Sequence, residues 1–520
     1  IMRPTFLAFE TASRAIAASQ ANIDVTGNNI ANINTDGYTR QRVDLTSISN
    51  SGYNQKYTAP CESVGLGVDV NSITQIRDPF LDARYRLQNA ETSLYNTLIA
   101  GLTDLESVFD ETETEGLQSE ISNFINQLQI LSQTPTSQDI ALVARTAAQK
   151  LTEIINVYAH QTQQVREQQI YDLSKVVIET DFNTLVKNIA NLNTQIRDEL
   201  THGNTPNELY DKRNTLIDQL SGLVNIKVTV KPEKISEDLT IENLNIALYD
   251  PKTGITIGLI DNGLYNTLNA SLNNVTNTMQ IEINSSFGAY SGDITRYFSS
   301  GSIKGYLDLI NGKGHYADTS VIPGENTFRG TLFYENAMNT FASNFAHILN
   351  EINTDSDGTP KPLFKASDGS SIITAANISI SDEWEQSPSY ITTTTSNTSD
   401  GGADNIIRMI NALTSDMNFY KNAADASSEI MFTGTANQYM TGLIGELSLD
   451  VELNGNFSDT ASYVLNNLFA YRESISGVSL DEEGIKLMAF QKSYNAAARY
   501  FTALDEALDK IINGMGLVGR

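Results

Sequence analysis

Cysteine is almost missing from this chain of 520 residues. Cys61 alone can build neither an intramolecular disulfide framework nor a cysteine-based zinc site, so stability must come from packing, length or assembly. Proline is sparse, with 11 residues, and there are only one tryptophan and four histidines. With Asn, Thr, Ser and Gln in quantity, that composition suits long polar helices better than a catalytic α/β core. Basic charge is short as well: 34 Lys and Arg face 62 Asp and Glu, a formal net charge of −28. Nonspecific attraction to nucleic acid or to an anionic membrane is therefore not expected. No apolar run approaches the ~20 residues that cross a bilayer, so membrane insertion is not expected either. The first thirty residues lack the basic, apolar and small-residue zones of a cleaved secretory signal. Met2 reads as the natural start, and Ile1 is set aside. At roughly 100–200 residues per domain, the length allows two to four domains.

Patterns that carry enzyme chemistry are lacking too. His160, His202, His315 and His347 stand far apart and none has a metal-ligand spacing. Gly312-Lys313-Gly314 lacks the upstream glycine and following hydroxyl of a phosphate loop. Asp355-Ser356-Asp357-Gly358 begins like a calcium loop, but Pro360 stands where the sharp turn needs glycine. Gly65-Leu66-Gly67 follows no convincing strand, and Cys61 has no neighbouring base, which makes it a structural or incidental thiol. The expectation is a protein that is not an enzyme, with no catalytic, cofactor-binding or metal-binding residue and no cofactor.

What the sequence does hold is concentrated at its ends. Pro4 suits a first helical turn, and Thr5 to about Asn32 contains one glycine. Phe9, Ile16, Ile23 and Ile30 recur every seven residues, with Ala12, Ser19, Thr26 and Ile33 three positions after each, a narrow and weakly apolar seam. Such a helix orders only against a partner. At the other end, Leu487, Phe490, Tyr494, Ala497, Phe501, Leu504, Leu508 and Ile511 keep the alternating three-four spacing of a coiled coil. Asp481, Glu482 and Glu483 place negative charge at that helix's positive end, and Lys510 lies near its close. The simplest solution pairs the two ends, within one subunit or among many copies. The −28 is not evenly spread: residues 1–44 are neutral and residues 478–520 carry −1, leaving −27 between them. Near-neutral ends can pack closely in many copies while an acidic middle keeps the exterior soluble.

The middle reads as helix, strand, helix, strand, helix. A polar loop is expected from Asp44 to Gln75. Asp78-Pro79 then opens a helix to about Asp110, with Leu87, Leu94, Leu98, Leu102, Leu105 and Phe109 on one face. A second helix covers roughly 117–132. From Thr136 to His202, 67 residues pass without Gly or Pro; an unbroken helix there would be ~100 Å long. Gln161 to Gln169 is nearly devoid of apolar residues, so the expectation is one helix with a solvated centre, or a break, the former favoured because no turn residue is present. Period two appears at Ile226, Val228 and Val230 and at Met279 to Ile283, with Asp261-Asn262-Gly263 as a hairpin turn. Helix is expected from Gly301 to near Asn350, short strands from Asp355 to Asp404, including Ile378-Ser379-Ile380 and Thr392 to Thr395, and helix again from Ile406. The fold class is mainly α with inserted β (α+β): a long helical-bundle rod built from both chain ends, coiled-coil terminal helices, and small β-hairpin lobes inserted. The expected division is 1–44 with 478–520 as the terminal axial core, 45–225 with 301–350 and 405–477 as the rod, 226–300 as a β-rich lobe, and 351–404 as a small β-rich insertion.

The first helix closes with Gly27-Asn28-Asn29-Ile30-Ala31-Asn32-Ile33-Asn34-Thr35-Asp36-Gly37-Tyr38-Thr39-Arg40-Gln41. Asparagine tolerates positive φ and Asp-Gly makes a tight turn, so by residue chemistry alone this is a helix cap and a reversal. The stretch resembles the N-terminal signature of bacterial flagellar axial proteins, Asn-Asn-Ile-Ala-Asn followed by Asn-Thr-Pro-Gly-Tyr, with Asp36 in place of the usual Pro and Gly37 kept. Ser476 to Glu483, Phe490-Gln491-Lys492-Ser493-Tyr494-Asn495-Ala496 and the terminal heptads resemble the other end of the same superfamily. Inside it, Asn207-Glu208-Leu209-Tyr210-Asp211-Lys212-Arg213-Asn214 and Gly301-Ser302-Ile303-Lys304-Gly305 are similar to the hook-associated junction members more than to rod or hook proteins.

That resemblance implies a secreted structural protein that self-assembles as a ring or adaptor between hook and filament. It implies export through the flagellar type III apparatus without a cleaved signal peptide, an extracellular location, and recognition of the C-terminal helix by a chaperone. Hook protein on one side and the second junction protein on the other would be its neighbours. The implied assembly interface comprises Phe9, Ile16, Ile23, Asn28, Asn29, Ile30, Asn32, Gly37 and Tyr38, with Leu487, Phe490, Tyr494, Phe501, Leu504, Leu508 and Ile511. The alternatives are another axial component, such as a hook or distal-rod protein, or a flagellum-anchored surface hydrolase.

Overall fold

The computed structural model describes residues 5–48, 65, 67–109, 116–234, 240–288, 290–318, 325–395 and 401–514. Cys61 lies outside them. The chain opens with helix α1 (Thr5–Ala31), followed by strands β1 (Gln41–Ser47) and β2 (Val68–Gln75). The strands pair antiparallel with a register shift at Asp44/Leu45. The stretch expected as a polar loop is therefore strand at both its ends, and the two strands lie against α1.

Helix α2 (Pro79–Val108) starts where expected, the Asp78 carboxylate accepting from the Phe80 N–H. Leu98, Leu102, Leu105 and Phe109 are buried, but Leu87 is 55% exposed. At that level α2 is gripped through Tyr85, Arg86 and Asn89, which turns Leu87 outward. Helices α3 (Leu117–Gln133), α4 (Gln138–Tyr171) and α5 (Asn183–Thr201) follow, and an 11-residue π-helical stretch, Asp172–Phe182, joins α4 to α5. The helix is thus continuous, as the absence of turn residues predicts. Its polar centre is not simply solvated: Thr162, Arg166 and Gln169 are buried. Arg166 donates to the Asn277 side-chain and backbone oxygens and lies 3.8 Å from Glu335. Burial presses the Arg166 pKa down and raises that of Glu335. Arg166 thus carries tertiary bonds from the polar centre of α4 that no helical period reveals.

After α6 (Asn207–Leu223) comes the β region: β3 (Ile226–Lys234), β4 (Thr240–Tyr249), β5 (Thr256–Asp261), β6 (Leu264–Tyr265), β7 (Thr267–Asn273), β8 (Thr278–Asn284) and β9 (Gly292–Asp293). It forms two antiparallel sheets, ordered β3-β4-β5-β6 and β7-β8-β9. Asn262, at φ 53°, makes the expected turn between β5 and β6. Strand β3 is a sheet edge carrying Lys227, Lys231, Pro232 and Lys234, residues that discourage pairing with another edge.

The helix expected from Gly301 to Asn350 is two helices, α7 (Ser302–Asn311) and α8 (Thr331–Ile352). Gly330 marks the return: a Cβ there would sit 2.1 Å from the Leu309 carbonyl oxygen, so α8 starts directly against the end of α7. Strands β10 (Phe364–Ala366) and β11 (Ile378–Ile380) pair, and a short helix α9 (Asp382–Gln386) buries Trp384. Thr392 to Thr395 is not a strand. The Thr392 N–H donates to Asn353 Oδ1, and its carbonyl accepts from Asn405 Nδ2, so side chains replace a ladder. Helix α10 (Asp404–Thr414) precedes a hairpin inside a stretch expected to be helical, β12 (Met417–Tyr420) with β13 (Ile430–Gly434). Phe419 is fully buried there, stacked on Phe341. The chain ends in α11 (Ala436–Ser476) and α12 (Leu480–Asp509).

Two apolar clusters result. One gathers the C-terminal half of α2 with α3, α4, α8 and the start of α11 around Phe124, Phe341 and Phe345. The other joins the π-helical stretch, α5 and α6 to the β-sheets around Phe182, Ile246 and Ile281. Helix α7 serves both, giving Leu309 to the first and Leu307 and Ile310 to the second. Towards the chain ends the packing becomes thin and polar, and the signature residues lie there.

Candidate assembly interface and its joint

The two terminal helices pair with each other inside one chain, antiparallel, so that Phe9 meets Phe501 with ring centroids 5.1 Å apart and edge-on, while Asn29 meets Glu483. Along α1, Phe9, Ile16, Ile23 and Ile30 are half-buried; the fully buried positions are Ala12, Ala18, Val25, Thr26 and Asn29. A two-partner environment explains this: α1 packs on α12 and also on the β1–β2 hairpin, so its buried arc is wider than the heptad line. On α12, Leu487, Phe490, Leu504 and Leu508 are half-buried, while Tyr494 and Phe501 are 37% and 38% exposed; Ile511, in the π-helical turn Lys510–Gly514 that follows, is 51% exposed. The only buried side chain of α12 is Glu483.

That carboxylate sits in a polar knot. Asn29 Nδ2 donates to Glu483 Oε2 at 3.0 Å and to the Gln41 carbonyl at 2.9 Å; Asn29 Oδ1 accepts from the Gln41 N–H at 3.0 Å and from the Tyr38 hydroxyl at 2.9 Å. One amide therefore ties the end of α1, the start of β1 and the start of α12. Glu483 Oε1 also accepts from Arg40 Nε at 2.9 Å and from Lys486 Nζ at 3.0 Å, and Arg40 reaches on to Glu482 at 2.8 Å. Burial works against the Glu483 carboxylate, but Asn29, Lys486 and Arg40 outweigh it and hold its pKa below the ordinary Glu value. Asn32 donates to the Asn28 side chain at 2.9 Å along the helix edge and accepts from the Thr35 hydroxyl at 3.1 Å.

Gly37 supplies the reversal. Its φ is 74°, and a Cβ would lie 2.3 Å from Thr215 Oγ1 of α6, so both conformation and space require glycine. The next two residues fasten the turn to the rod. Tyr38 is half-buried among Asp211, Glu208 and Glu483, and burial followed by those charges pushes its hydroxyl up to about 12. The Thr39 N–H donates to Asp211 Oδ2 at 3.2 Å, while Gln75 Nε2 donates to Asp211 Oδ1 at 2.9 Å. Arg77 bonds both oxygens of Asp82, at 2.8 and 3.1 Å, and reaches Thr39 Oγ1.

Beneath this layer, Asp218 of α6 accepts from Arg86 of α2 at 2.7 Å and from Arg472 of α11 at 2.6 Å, and the Arg472 guanidinium lies 4.1 Å over the Tyr85 ring. Arg213 is buried against Tyr210, 4.9 Å from its ring, and donates to Asn193; burial lowers its pKa to about 10. Thus the two stretches that stood out separately in sequence, Asn28 to Tyr38 and Asn207 to Asn214, are in contact. Arg40, Gln41, Arg77, Asp82, Asp218, Arg472 and Glu483 were not singled out as interface residues. Glu483 lay in the acidic run read as a helix-end charge, Arg40 and Gln41 at the end of the Asn-rich stretch, and Asp211 in the family-like segment; Arg77, Asp82, Asp218 and Arg472 had no signal, since the layer they form joins α2, α6 and α11, elements distant in sequence.

No helix among the described residues is long and apolar enough to cross a membrane. Three family models match the chain: "Flagellar hook-associated protein FlgK helical domain" over residues 102–361, "Flagella basal body rod protein" over 9–39, and "Flagellar basal body rod FlgEFG protein C-terminal" over 472–514. The last two bracket the joint from its two sides. Flagellar hook-associated protein 1 of Bacillus subtilis (strain 168) is 31% identical over 533 residues, covering 100% of both chains. The protein of that name from Salmonella typhimurium is 21% identical over 96% of this chain and 98% of its own. Among solved structures, the flagellar hook junction protein FlgK from Burkholderia pseudomallei matches in fold with a TM-score of 0.56 at 11% identity, covering 76% of this chain and 100% of that one.

Two outcomes follow from the knot. Asn29→Ala leaves the buried Gln41 N–H without its acceptor and takes one donor from Glu483, which keeps Arg40 and Lys486, a loss of ~1–3 kcal/mol. Amide protection of residues 38–42 and 480–486 should fall while that of α3 and α8 is unchanged. Because the folded pKa of Glu483 is depressed, its contribution is present above the unfolded value of about 4.3 and is lost as pH falls through the folded value. Asp211, whose pKa burial raises, works in the opposite direction. Protection factors at the start of α12 should drop in acid in the wild-type chain and be flat over the same range in Glu483→Gln.

Proposed function

The chain belongs to the flagellar hook-associated protein 1 family, and from that membership we propose that the paired terminal helices are the part by which it assembles. It is a structural component of the flagellum at the hook–filament junction and assembles with hook and filament components. We infer that assembly, not catalysis, is its activity. The observation that carries this reading is the makeup of α12: a 30-residue helix with one buried side chain, an acid, and with Tyr494 and Phe501 in the open, as is Ile511 just beyond it. An antiparallel pair with so little enclosed surface is marginal in water, and it leaves apolar side chains open both on the heptad line, at Tyr494 and Phe501, and beside it, at Ile485, Met488 and Tyr500. Further copies arranged about an axis would enclose them.

Phe9, Ile16, Ile23, Ile30, Leu487, Phe490, Leu504 and Leu508 are then the seam, whereas Asn28, Asn29, Asn32, Gly37 and Tyr38 act through the joint that sets the seam's direction relative to the rod. We further infer residues 1–44 with 478–520 as the axial core and the remainder as rod with β-rich lobes at 226–300 and 351–404. Hook protein and a second junction protein as direct neighbours, a chaperone for the C-terminal helix, and export to an extracellular position without a cleaved signal belong to the same reading. The near-neutral ends and the −27 borne by residues 45–477 favour it, since only an uncharged core can be packed many times over without strong repulsion.

Leu504→Asp puts a charge into the seam at a cost of ~2 kcal/mol or more at each contact it enters. It should leave thermal unfolding of the rod unchanged and abolish filament growth from complemented cells, counted by electron microscopy; normal filaments would overturn the seam. Ordering of the ends is expected to be coupled to incorporation. Residues 5–32 and 487–512 should exchange amide hydrogen rapidly in the isolated monomer and slowly once assembled, and strong protection in the monomer would remove that coupling.

A further inference from the structure

Over its second half, α11 is built inside out. Its fully buried positions are Asp450, Asn454, Ser458 and Ala461, polar or small, whereas Leu449, Leu453, Phe457, Tyr463, Val464 and Tyr471 are 36–70% exposed. At the α-helical turn angle those six fall within an arc of about 120°, a strip about 33 Å long. Asn456, Thr460 and Asn467 complete the arc, so it holds no charged residue in a chain of net charge −28.

The orientation is fixed by the polar side. Asp450 accepts from Arg329 Nε at 2.6 Å, Ser448 donates to Glu106 at 3.1 Å, Ser458 donates to Asn96, and Arg472 is clamped between Asp218 and the Tyr85 ring. Turning the apolar arc inward would break each of these bonds and bury charge without a partner. Among the described residues the Tyr95 ring of α2 reaches the edge of the strip, 5.3 Å from that of Phe457, and the rest of the strip is left open.

We propose that this strip of α11 is covered by a neighbouring copy of the same chain in the assembled junction. Two features select that occupant. A strip without charge is where one strongly acidic subunit can approach another without electrostatic cost. Its six apolar residues expose on the order of 600 Å², below the ~800 Å² per partner that holds a free-standing pair together, so it suits a contact repeated within an array that the terminal helices already nucleate. The proposal rests on the assembly reading of those helices and adds to it a second contact on the rod.

The test uses the full-length protein as sole copy in flagellated cells. Leu453→Glu, at a fully outward position, should leave circular dichroism and thermal unfolding of the monomer unchanged and reduce filaments per cell by about tenfold or more. A photo-crosslinking residue in place of Leu453, in an otherwise unaltered chain, should give a dimer of this chain in assembled flagella and none in the monomer; this readout holds even if the glutamate variant misfolds. Cross-links only within the chain, only to another flagellar protein, or none overturn the proposal. Normal assembly of Leu453→Glu alongside failure of Leu504→Asp overturns the α11 contact and leaves the terminal seam standing. Normal assembly of both removes the seam reading as well.

Discussion

Both ends of the chain are oriented by one side-chain amide. Asn29 is buried at a point where it must accept from the Gln41 N–H and the Tyr38 hydroxyl while donating to the Gln41 carbonyl and to Glu483. No carboxylate could do this, because an ionised acid only accepts and would face Glu483 as a like charge. A hydroxyl has too few donors and too short a reach. The amide makes the backbone of β1 behave as if the end of α1 were a neighbouring strand, and it hands the remaining donor to α12. The direction of the terminal pair relative to the rod is set through this group, through Arg40, whose N–H bonds the Ser476 carbonyl at the end of α11, and through the Gly37–Thr39 turn held on Thr215 and Asp211.

The polar character of the joint contrasts with the two apolar clusters of the rod and the β-rich lobe. Buried ion pairs such as Arg86–Asp218–Arg472 and Arg77–Asp82 add little net stability once desolvation is counted, but they are intolerant of rotation and of register change. Apolar packing would tolerate both. A protein that presents a helix pair in one orientation to many identical neighbours needs a joint that is directional before it is strong. The same logic gives α11 its inverted faces: a polar grip on α2 in exchange for an apolar strip left outside.

Charge completes the division. The acid is concentrated in residues 45–477, while α1 and α12 are close to neutral. Within the acidic part, exposed apolar side chains of α11 form a gap in the charge along one helix. Where copies of a polyanion must touch, uncharged surface is the permissive condition, and both the seam and the strip meet it.

The heptads at Leu487 to Ile511, the Asp78-Pro79 start of α2, the long helix without Gly or Pro, and the period-two runs at Ile226 and Met279 are all local in origin, and the structure keeps them. The Asn-rich signature and the Tyr210 to Arg213 segment were visible as resemblances without visible contact, because their meeting at Gly37–Thr215 and Thr39–Asp211 spans about 175 residues. Errors arose where tertiary bonds replace a local rule: Arg166 buries the polar centre of α4, Asn353 and Asn405 hold Thr392 outside any sheet, and Gly330 folds α8 back on α7. The sequence by itself determined the helices, the strands and the family, since periodicity, capping and turn chemistry act over a few residues. Only the tertiary structure decided that Glu483 is a buried hub and that α11 faces outward with its apolar side, since burial belongs to the packed chain and a hydrogen bond needs both partners in place.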